Sequence, residues 1–319
     1  MYTRREFGAL SAMALGGLAL PRRLAAQIDS TVGGVKIGVQ TYSFRALPRS
    51  VAIVEHDRTA VWPPGEDQSE AIIQAMTRCR IGDCELWSPM LEPVSGVGRD
   101  ASPDARRQAR DELRRWRVET PLSHFEAIRD RFTAAGLTIY GFNYSFDDSF
   151  SDDEIDRGFE IARALGAEII TASSTLSAMK RVVPFAARHQ MVVAVHNHSN
   201  ISDPNEFARP ESFAAAMALS PYVKVNLDIG HFTAANYDPV AYLREHHASI
   251  SNLHLKDRRR DQGANVPWGT GDTPIREVLQ LLQRERWPIR AHVEYEYRGS
   301  GSPVDEVIRC YHYVKQALV

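Results

Sequence analysis

Short runs of apolar and β-branched residues alternate with helical patterns along most of this chain. Eight such runs occur between residues 35 and 296, and the segments that separate them repeat apolar residues at helical spacing. This alternation is typical of parallel strands that are joined by crossover helices. Several runs are continuously apolar, as expected for strands that are covered on both faces. Eight strands and eight helical segments predict a closed (β/α)₈ barrel.

The fold class is therefore predicted as α/β, a single-domain TIM barrel. The strands are expected at 35–41, 82–87, 137–143, 167–172, 191–196, 223–229, 250–256 and 289–296. The helices are expected at 70–79, as a pair within 105–135, and at 152–165, 176–189, 210–219, 239–247, 273–285 and 303–318. Pro274 is placed in a first helical turn, with Asp272 or Thr273 as the cap. Gly136 and Gly166 are expected to end helices in the left-handed conformation.

The first residues are set apart from the barrel because they have the pattern of a twin-arginine export signal. Arg4 and Arg5 precede Phe7 and an apolar stretch over residues 8–20, which is too short to span a bilayer. The alternative is an amphipathic N-terminal helix. The pattern predicts a signal peptide over residues 1–27, with a cleavage point close to Ala25 and Ala26, and a barrel over residues 28–319. It also predicts the export machinery as a partner, a periplasmic location and no stable membrane anchor.

Composition argues against nucleic-acid binding and against a fold that is held together by disulfides. The formal net charge is −2 and the basic residues are scattered, with Arg258, Arg259 and Arg260 as the one cluster, so no nucleic-acid partner is expected. Cys79, Cys84 and Cys310 are too few for a disulfide framework and are expected to be packing thiols. The sequence leaves the oligomeric state open, with a homo-oligomer as one alternative.

Polar residues end four successive predicted strands. His196, Asp228, His254 and Glu294 each follow an apolar run. Because a (β/α)₈ barrel carries its chemistry at the carboxyl ends of its strands, these side chains are expected to converge there. A buried carboxylate without a partner is costly, which favours a metal ion at the point of convergence. The sequence therefore predicts a metalloenzyme.

The segments around these residues resemble the xylose isomerase-like TIM barrels, the sugar phosphate isomerase/epimerase-like family. The most specific are VNLDIGH at 225–231, LHLKDR at 253–258 and HVEYE at 292–296. In the epimerase branch, the resemblance implies a divalent metal held by Glu, Asp, His and Glu from strands five to eight. Asp228, His254 and Glu294 match three of these positions. His196 stands where the family has the first glutamate.

A site of two imidazoles and two carboxylates has mixed nitrogen and oxygen donors. Such a site favours Mn²⁺ or Zn²⁺, with Co²⁺ and Fe²⁺ as further candidates, over Mg²⁺. One metal ion is expected. His231 resembles a position that binds a second metal in related endonucleases, but the other ligands of that cluster are not evident here.

Further residues are predicted to handle protons or to bind substrate. The predicted catalytic residues are Glu294, Glu85 and Lys256, and the predicted substrate-binding residues are Tyr42, Asn143, His198, His231 and Trp268. Two of these keep an alternative. Glu85 is either a helper acid/base or an ion-pair partner of Lys256 or of an arginine. Trp268 either covers a sugar face or packs between a loop and a helix.

The predicted reaction is isomerisation or epimerisation of an unphosphorylated sugar or keto-sugar. A proton is removed from the carbon next to a carbonyl that the metal polarises. The family resemblance implies two ligating glutamates as the proton-handling pair, and His196 leaves only Glu294, which weakens two-base epimerisation. A lyase or hydratase acting on a keto-glycoside is the first alternative, with elimination of the inosose dehydratase type. A non-catalytic sugar-binding barrel is the second.

Overall fold

The computed structural model describes residues 25–48, 52–55, 58–61, 67–94, 97–98 and 100–319. The predicted export signal lies outside the described residues as far as residue 24. Ala52–Glu55 and Arg58–Val61 pair as an antiparallel hairpin between the first two barrel strands.

Eight parallel strands close into a barrel. They are β1 Val35–Gln40, β2 Asp83–Trp87, β3 Thr138–Asn143, β4 Ile169–Ser173, β5 Val192–His196, β6 Val223–Asp228, β7 Ile250–Leu255 and β8 Arg290–Val293. Each strand pairs in parallel with the next, and β8 returns to β1 with Val293 opposite Val39. The short strand Thr31–Val32 adds an antiparallel pairing to β1. The predicted single-domain TIM barrel is confirmed.

Helices surround the strands in the part of the chain that is described. They are α1 Ser69–Cys79, α2 Pro103–Glu119, α3 Leu122–Ala134, α4 Asp152–Ala164, α5 Leu176–His189, α6 Pro210–Met217, α7 Ile229–Ala234, α8 Pro239–His246, α9 Ile275–Glu285 and α10 Pro303–Ala317. The short helix α7, directly after β6, was not predicted. Gly136 and Gly166 have φ of 74° and 73°, which confirms their left-handed conformation after α3 and α4.

The helix α9 begins two residues later than predicted, and its predicted cap is wrong. Pro274 precedes the helix, and neither Asp272 nor Thr273 caps it. Instead, the Asp272 carboxylate accepts a hydrogen bond from the backbone N–H of Arg260, and the Thr273 hydroxyl accepts one from the backbone N–H of Arg258. These side chains close the loop after β7 and are therefore not available to the helix.

The strands build two different layers. Side chains that point outward pack beneath the helices and form one large apolar core, with Ile37, Val39, Leu86, Val195, Leu253 and Val293 among its fully buried members. Alternate residues point into the barrel, as strand geometry requires. Along β7 these are Asn252 and His254, and along β6 they are Asn226 and Asp228. The carboxyl half of the barrel interior is therefore polar.

Residues 25–30 pack against the amino-terminal end of the barrel. The backbone N–H of Ala25 donates to the Ala134 carbonyl at 3.0 Å, and that of Ile28 donates to the Gly136 carbonyl at 2.9 Å. A Cβ on Gly82 would lie 1.7 Å from the Ile28 carbonyl oxygen, so only glycine fits there. The predicted boundary between residues 27 and 28 falls within this segment.

Two further features bear on the sequence expectations. The thiols of Cys79, Cys84 and Cys310 are free and buried. Within the described ranges, no helix has both the length and the apolar character that a membrane crossing needs.

Candidate metal centre

The structure brings together the four side chains that the sequence singled out as metal ligands. One ligand atom from each of His196, Asp228, His254 and Glu294 lies within 4.8 Å of the corresponding atoms of the others. His196 Nε2 is 3.4 Å from Asp228 Oδ2, and His254 Nδ1 is 3.1 Å from Glu294 Oε2. All four side chains are buried, at the carboxyl ends of β5, β6, β7 and just beyond β8.

Two of these candidate ligand atoms lie close together. His254 Nδ1 and Glu294 Oε2 are buried and 3.1 Å apart, and Glu294 Oε2 also faces the ammonium of Lys256 at 2.9 Å. A divalent ion within the cluster would accept one lone pair from each of the two atoms. Two nitrogen and two oxygen donors are also a set that Zn²⁺ and Mn²⁺ accept.

Lys256 provides a positive charge beside this cluster. Its ammonium lies 3.1 Å from Asp228 Oδ2, 2.9 Å from Glu294 Oε2 and 2.5 Å from Glu296 Oε2. Burial would lower the pKa of Lys256, but these three carboxylates outweigh it and raise the pKa above its usual value. The lysine is therefore charged at neutral pH and is not a general base there.

Glu85 lies below the cluster, at the centre of the barrel. Its carboxylate accepts hydrogen bonds on Oε1 from Gln40, Asn143 and Thr171, and on Oε2 from Asn226, Asn252, His254 and His292. The described residues give it no bond from Lys256 or from an arginine, the two ion-pair partners that the sequence left open. It is fully buried and does not line the cavity of the site. This position does not suit a helper acid/base.

Glu85 instead orients His254. The bond from His254 Nε2 to Glu85 Oε2 is 2.8 Å long and leaves Nδ1 facing the other ligands. Histidine ligands of metals commonly donate their second ring nitrogen to a carboxylate in this way. Burial would lower the pKa of His254, but the charges of Glu85 and Glu294 raise it to about 10. Burial likewise opposes the charge on Glu85, yet His254 and His292 hold its pKa well below the usual range.

The polar network continues toward the amino end of the barrel. His292 Nδ1 lies 3.3 Å from Glu85, and its Nε2 lies 3.2 Å from Asp83 Oδ1. Asp83 in turn faces the guanidinium of Arg290 at 3.4 Å. Sequence reasoning assigned no role to Asp83, Asn226, Asn252 or His292. Their spacing of two residues from Glu85, Asp228, His254 and Glu294 was the available signal, because it puts them on the same inward face.

A cavity of about 260 Å³ opens above the cluster. Four of the five predicted substrate-binding residues line it, namely Tyr42, Asn143, His198 and His231. Trp268 does not line it, and its ring packs edge-on against Tyr313 of α10 at 5.9 Å. This contact agrees with the alternative that Trp268 packs between a loop and a helix. Ser145, which the sequence did not indicate, also lines the cavity.

Three histidines that line the cavity either have a lowered pKa or contact a charged side chain. Burial lowers the pKa of His196 to about 4, so its ring keeps a lone pair for a metal at neutral pH. Burial and the charge of Lys256 lower the pKa of His231, whose Nδ1 accepts a hydrogen bond from the Arg258 guanidinium at 2.6 Å. His198 Nδ1 lies 3.0 Å from Glu206. His198 and His231 are thus held in place at the rim, and neither belongs to the four-residue ligand cluster.

Comparison with known proteins agrees with the barrel fold. A family model described as xylose isomerase-like TIM barrel matches residues 98–312. The chain belongs to this family. No curated protein matches the sequence.

Solved structures with the same fold share little sequence identity with the chain. A sugar phosphate isomerase/epimerase from Parabacteroides distasonis superposes with a TM-score of 0.56 at 15% identity, over 93% of this chain and 99% of that one. A 3-keto-D-glucoside 4-epimerase from E. coli gives 0.56 at 12%, over 88% and 99%. A probable 3-DHS dehydratase from Bacillus anthracis gives 0.58 at 14%, over 88% and 98%. At these identities the likeness concerns the fold.

Proposed function

We propose that this protein is a metal-dependent sugar isomerase or epimerase-like enzyme that acts on an unphosphorylated sugar or keto-sugar. The observation that carries the proposal is the convergence of His196, Asp228, His254 and Glu294 at the mouth of a xylose isomerase-like barrel. Named relatives of the same fold include two isomerase or epimerase enzymes and one dehydratase, which supports this range of reactions.

The four ligands would hold one Mn²⁺ or Zn²⁺ ion. When bound, such an ion polarises a carbonyl group and makes the proton on the neighbouring carbon easier to remove. The role of the chain's own residues is then to hold the sugar and to move that proton. The mixed donor set makes Mg²⁺ the least favoured candidate.

Glu294 is the proposed proton-handling residue. It lines the cavity, and its Oε2 faces the ammonium of Lys256 at 2.9 Å. Burial raises its pKa, but Lys256 and His254 outweigh burial and lower it to about 2, so the carboxylate is ionised at neutral pH. Lys256 is proposed to stabilise negative charge that develops on the substrate. Tyr42, Asn143, His198 and His231 are proposed to bind the sugar hydroxyls.

A second candidate follows from His196. A neutral imidazole that is used as a ligand is a poor base, so the site has one proton-handling carboxylate where the resemblance implies two. One base suffices for isomerisation, in which it returns the proton it removed, and also for elimination next to a keto group. Lyase or hydratase action on a keto-glycoside is therefore the alternative.

The proposed place of action is the periplasm. The twin-arginine pattern over residues 1–27 supports export by the corresponding machinery, which carries folded proteins. Glycosides and free sugars occur outside the cell, whereas sugar phosphates are mostly cytoplasmic. Export thus supports an unphosphorylated substrate.

Incubation of the metal-loaded protein with sugars and 3-keto-glycosides in deuterated water tests the proposal. Isomerisation incorporates deuterium at the carbon next to the carbonyl without loss of water or aglycone, whereas elimination releases one of them. The Glu294→Gln variant is expected to lose at least ~10²-fold in rate. Glu245→Gln, an exposed change on α8, serves as the matched control. Metal and sugar binding with no exchange in any substrate would favour a non-catalytic sugar-binding barrel.

A further inference from the structure

A second cavity adjoins the cavity above the metal-ligand cluster. It measures about 200 Å³ and shares two wall residues, Trp87 and Ser145, with the first cavity. Its remaining walls come largely from α2 and from the loop between β3 and α4, including Leu113 and Phe150. The two cavities are therefore neighbours, with Trp87 and Ser145 in the wall of both.

The two cavities differ in chemistry. The first is lined mainly by histidines, carboxylates, two amides, two serines and a lysine, which suit the hydroxyl groups of a sugar. The second combines the apolar surfaces of Trp87, Leu113 and Phe150 with serines, three arginines and two carboxylates. An aromatic ring prefers such surroundings because its faces and edges pack against other rings and against aliphatic groups.

The charged residues of the second cavity are mostly occupied with one another. Arg117 is largely buried, and its guanidinium contacts Glu92 at 2.9 Å and Glu154 at 3.3 Å. Arg114 contacts Glu154 and Asp111, each at 2.9 Å. The Arg117 guanidinium also lies 4.6 Å from the centre of the Phe150 ring and fixes that ring as part of the wall. These pairs compensate the charges of Arg114 and Arg117 in the wall of the cavity.

The sizes also argue for joint use. Cavities that bind small molecules usually measure about 300–1,000 Å³. Each cavity here is below this range, and the two together fall within it.

We propose that the second cavity binds the aromatic aglycone of a glycoside whose sugar ring lies in the first cavity. The inference rests on the proposed function for the position of the sugar ring, and it narrows the substrate class to aryl glycosides. Trp87 separates the two parts. It is held by an edge-on contact with Tyr42 at 4.8 Å and by a hydrogen bond from its backbone N–H to the Thr41 hydroxyl.

Isothermal titration calorimetry of the metal-loaded full chain tests this inference. The ligands are methyl β-D-glucoside, phenyl β-D-glucoside and cellobiose, which share one glucose ring and differ in the group attached to its anomeric oxygen. We expect the phenyl glucoside to bind at least tenfold more tightly than the methyl glucoside, which corresponds to about 1.4 kcal/mol. Tighter binding of cellobiose than of the phenyl glucoside would overturn the aromatic assignment in favour of a second sugar.

A pair of variants locates the effect. Leu113→Trp fills the second cavity from α2 and is expected to remove the advantage of the phenyl glucoside, with methyl glucoside binding unchanged. Leu219→Trp, on an exposed leucine that lines neither cavity, is the matched control and should keep the advantage. An advantage that persists in Leu113→Trp, or equal affinities in the unaltered protein, would overturn the inference, as would failure of all three ligands to bind.

These binding measurements do not depend on turnover. A protein that prefers the phenyl glucoside but exchanges no deuterium would refute the proposed function and leave the aglycone site standing. A protein that exchanges deuterium in simple sugars and shows no preference for the phenyl group would do the reverse.

Discussion

Replacement of Glu85 by glutamine removes a charge from the centre of the barrel. The carboxylate is fully buried, accepts hydrogen bonds on both oxygens and faces His254 at 2.8 Å. An amide keeps the shape but loses the charge. It also turns an N–H group toward side chains that are themselves donors, either Gln40, Asn143 and Thr171 on one side or Asn226 and Asn252 on the other.

The Glu85→Gln change is expected to have two effects of predictable size. Removing one partner of a buried ion pair costs about 3–5 kcal/mol, because the other charge is left without compensation. The free energy of unfolding of the metal-free protein should therefore fall by about that amount. The carboxylate behind a histidine ligand also sets the orientation and basicity of the ring, so affinity for Zn²⁺ should fall by about 10–100-fold.

The assay for Glu85→Gln combines urea denaturation, monitored by circular dichroism, with a Zn²⁺ titration of the folded protein. Glu245→Gln is the control, because that side chain is 77% exposed and its change should alter neither quantity. A Glu85→Gln variant with wild-type stability and wild-type Zn²⁺ affinity would show that Glu85 neither anchors the interior network nor orients His254.

Three further predictions concern the same interior. Lys256→Met should destabilise the metal-free protein by about 3–5 kcal/mol, because three carboxylates lose their cation. Added Mn²⁺ should restore much of the lost stability, as measured by thermal denaturation. Equal melting temperatures of the variant with and without Mn²⁺ would contradict this. Urea denaturation across pH should find the metal-free protein most stable near pH 6.5. The pKa of His196 is lowered to about 4, so the free energy of unfolding falls as the pH drops from 6.5 toward 4. The pKa of His254 is raised to about 10, so the stability that this residue contributes is full below pH 6.5 and is lost as the pH rises through 10. A flat profile would argue against both assignments. Gly82→Ala should lower the thermal midpoint, because the added Cβ meets the Ile28 carbonyl, and an unchanged midpoint would mean that residues 25–30 do not pack there in solution.

The architecture was predictable because it depends on local patterns. Continuous apolar runs located all eight barrel strands within a few residues, and glycines at 136 and 166 marked two helix ends. The convergence of His196, Asp228, His254 and Glu294 was also predictable, because a polar residue at the end of a buried strand has few structural uses. Barrel closure then fixes where those strand ends meet.

The interior network was not predictable in the same way. Glu85 and His254 are far apart in the chain and come together only when the barrel closes, so no local pattern identifies them as partners. For the same reason, Glu85 could be recognised as a polar strand residue but not as the group that orients a ligand. The loop after β7 was equally hard to predict, because Asp272 and Thr273 bond to backbone groups of that loop and leave α9 to begin after Pro274.

The central claim is that four side chains share one divalent ion, and anomalous diffraction from crystals grown with Zn²⁺ tests it most directly. We expect a single peak at the barrel mouth, about 2.0–2.2 Å from His196 Nε2, Asp228 Oδ2, His254 Nδ1 and Glu294 Oε2. Crystals without a peak at this position, or with a peak bound by other residues, would contradict the account.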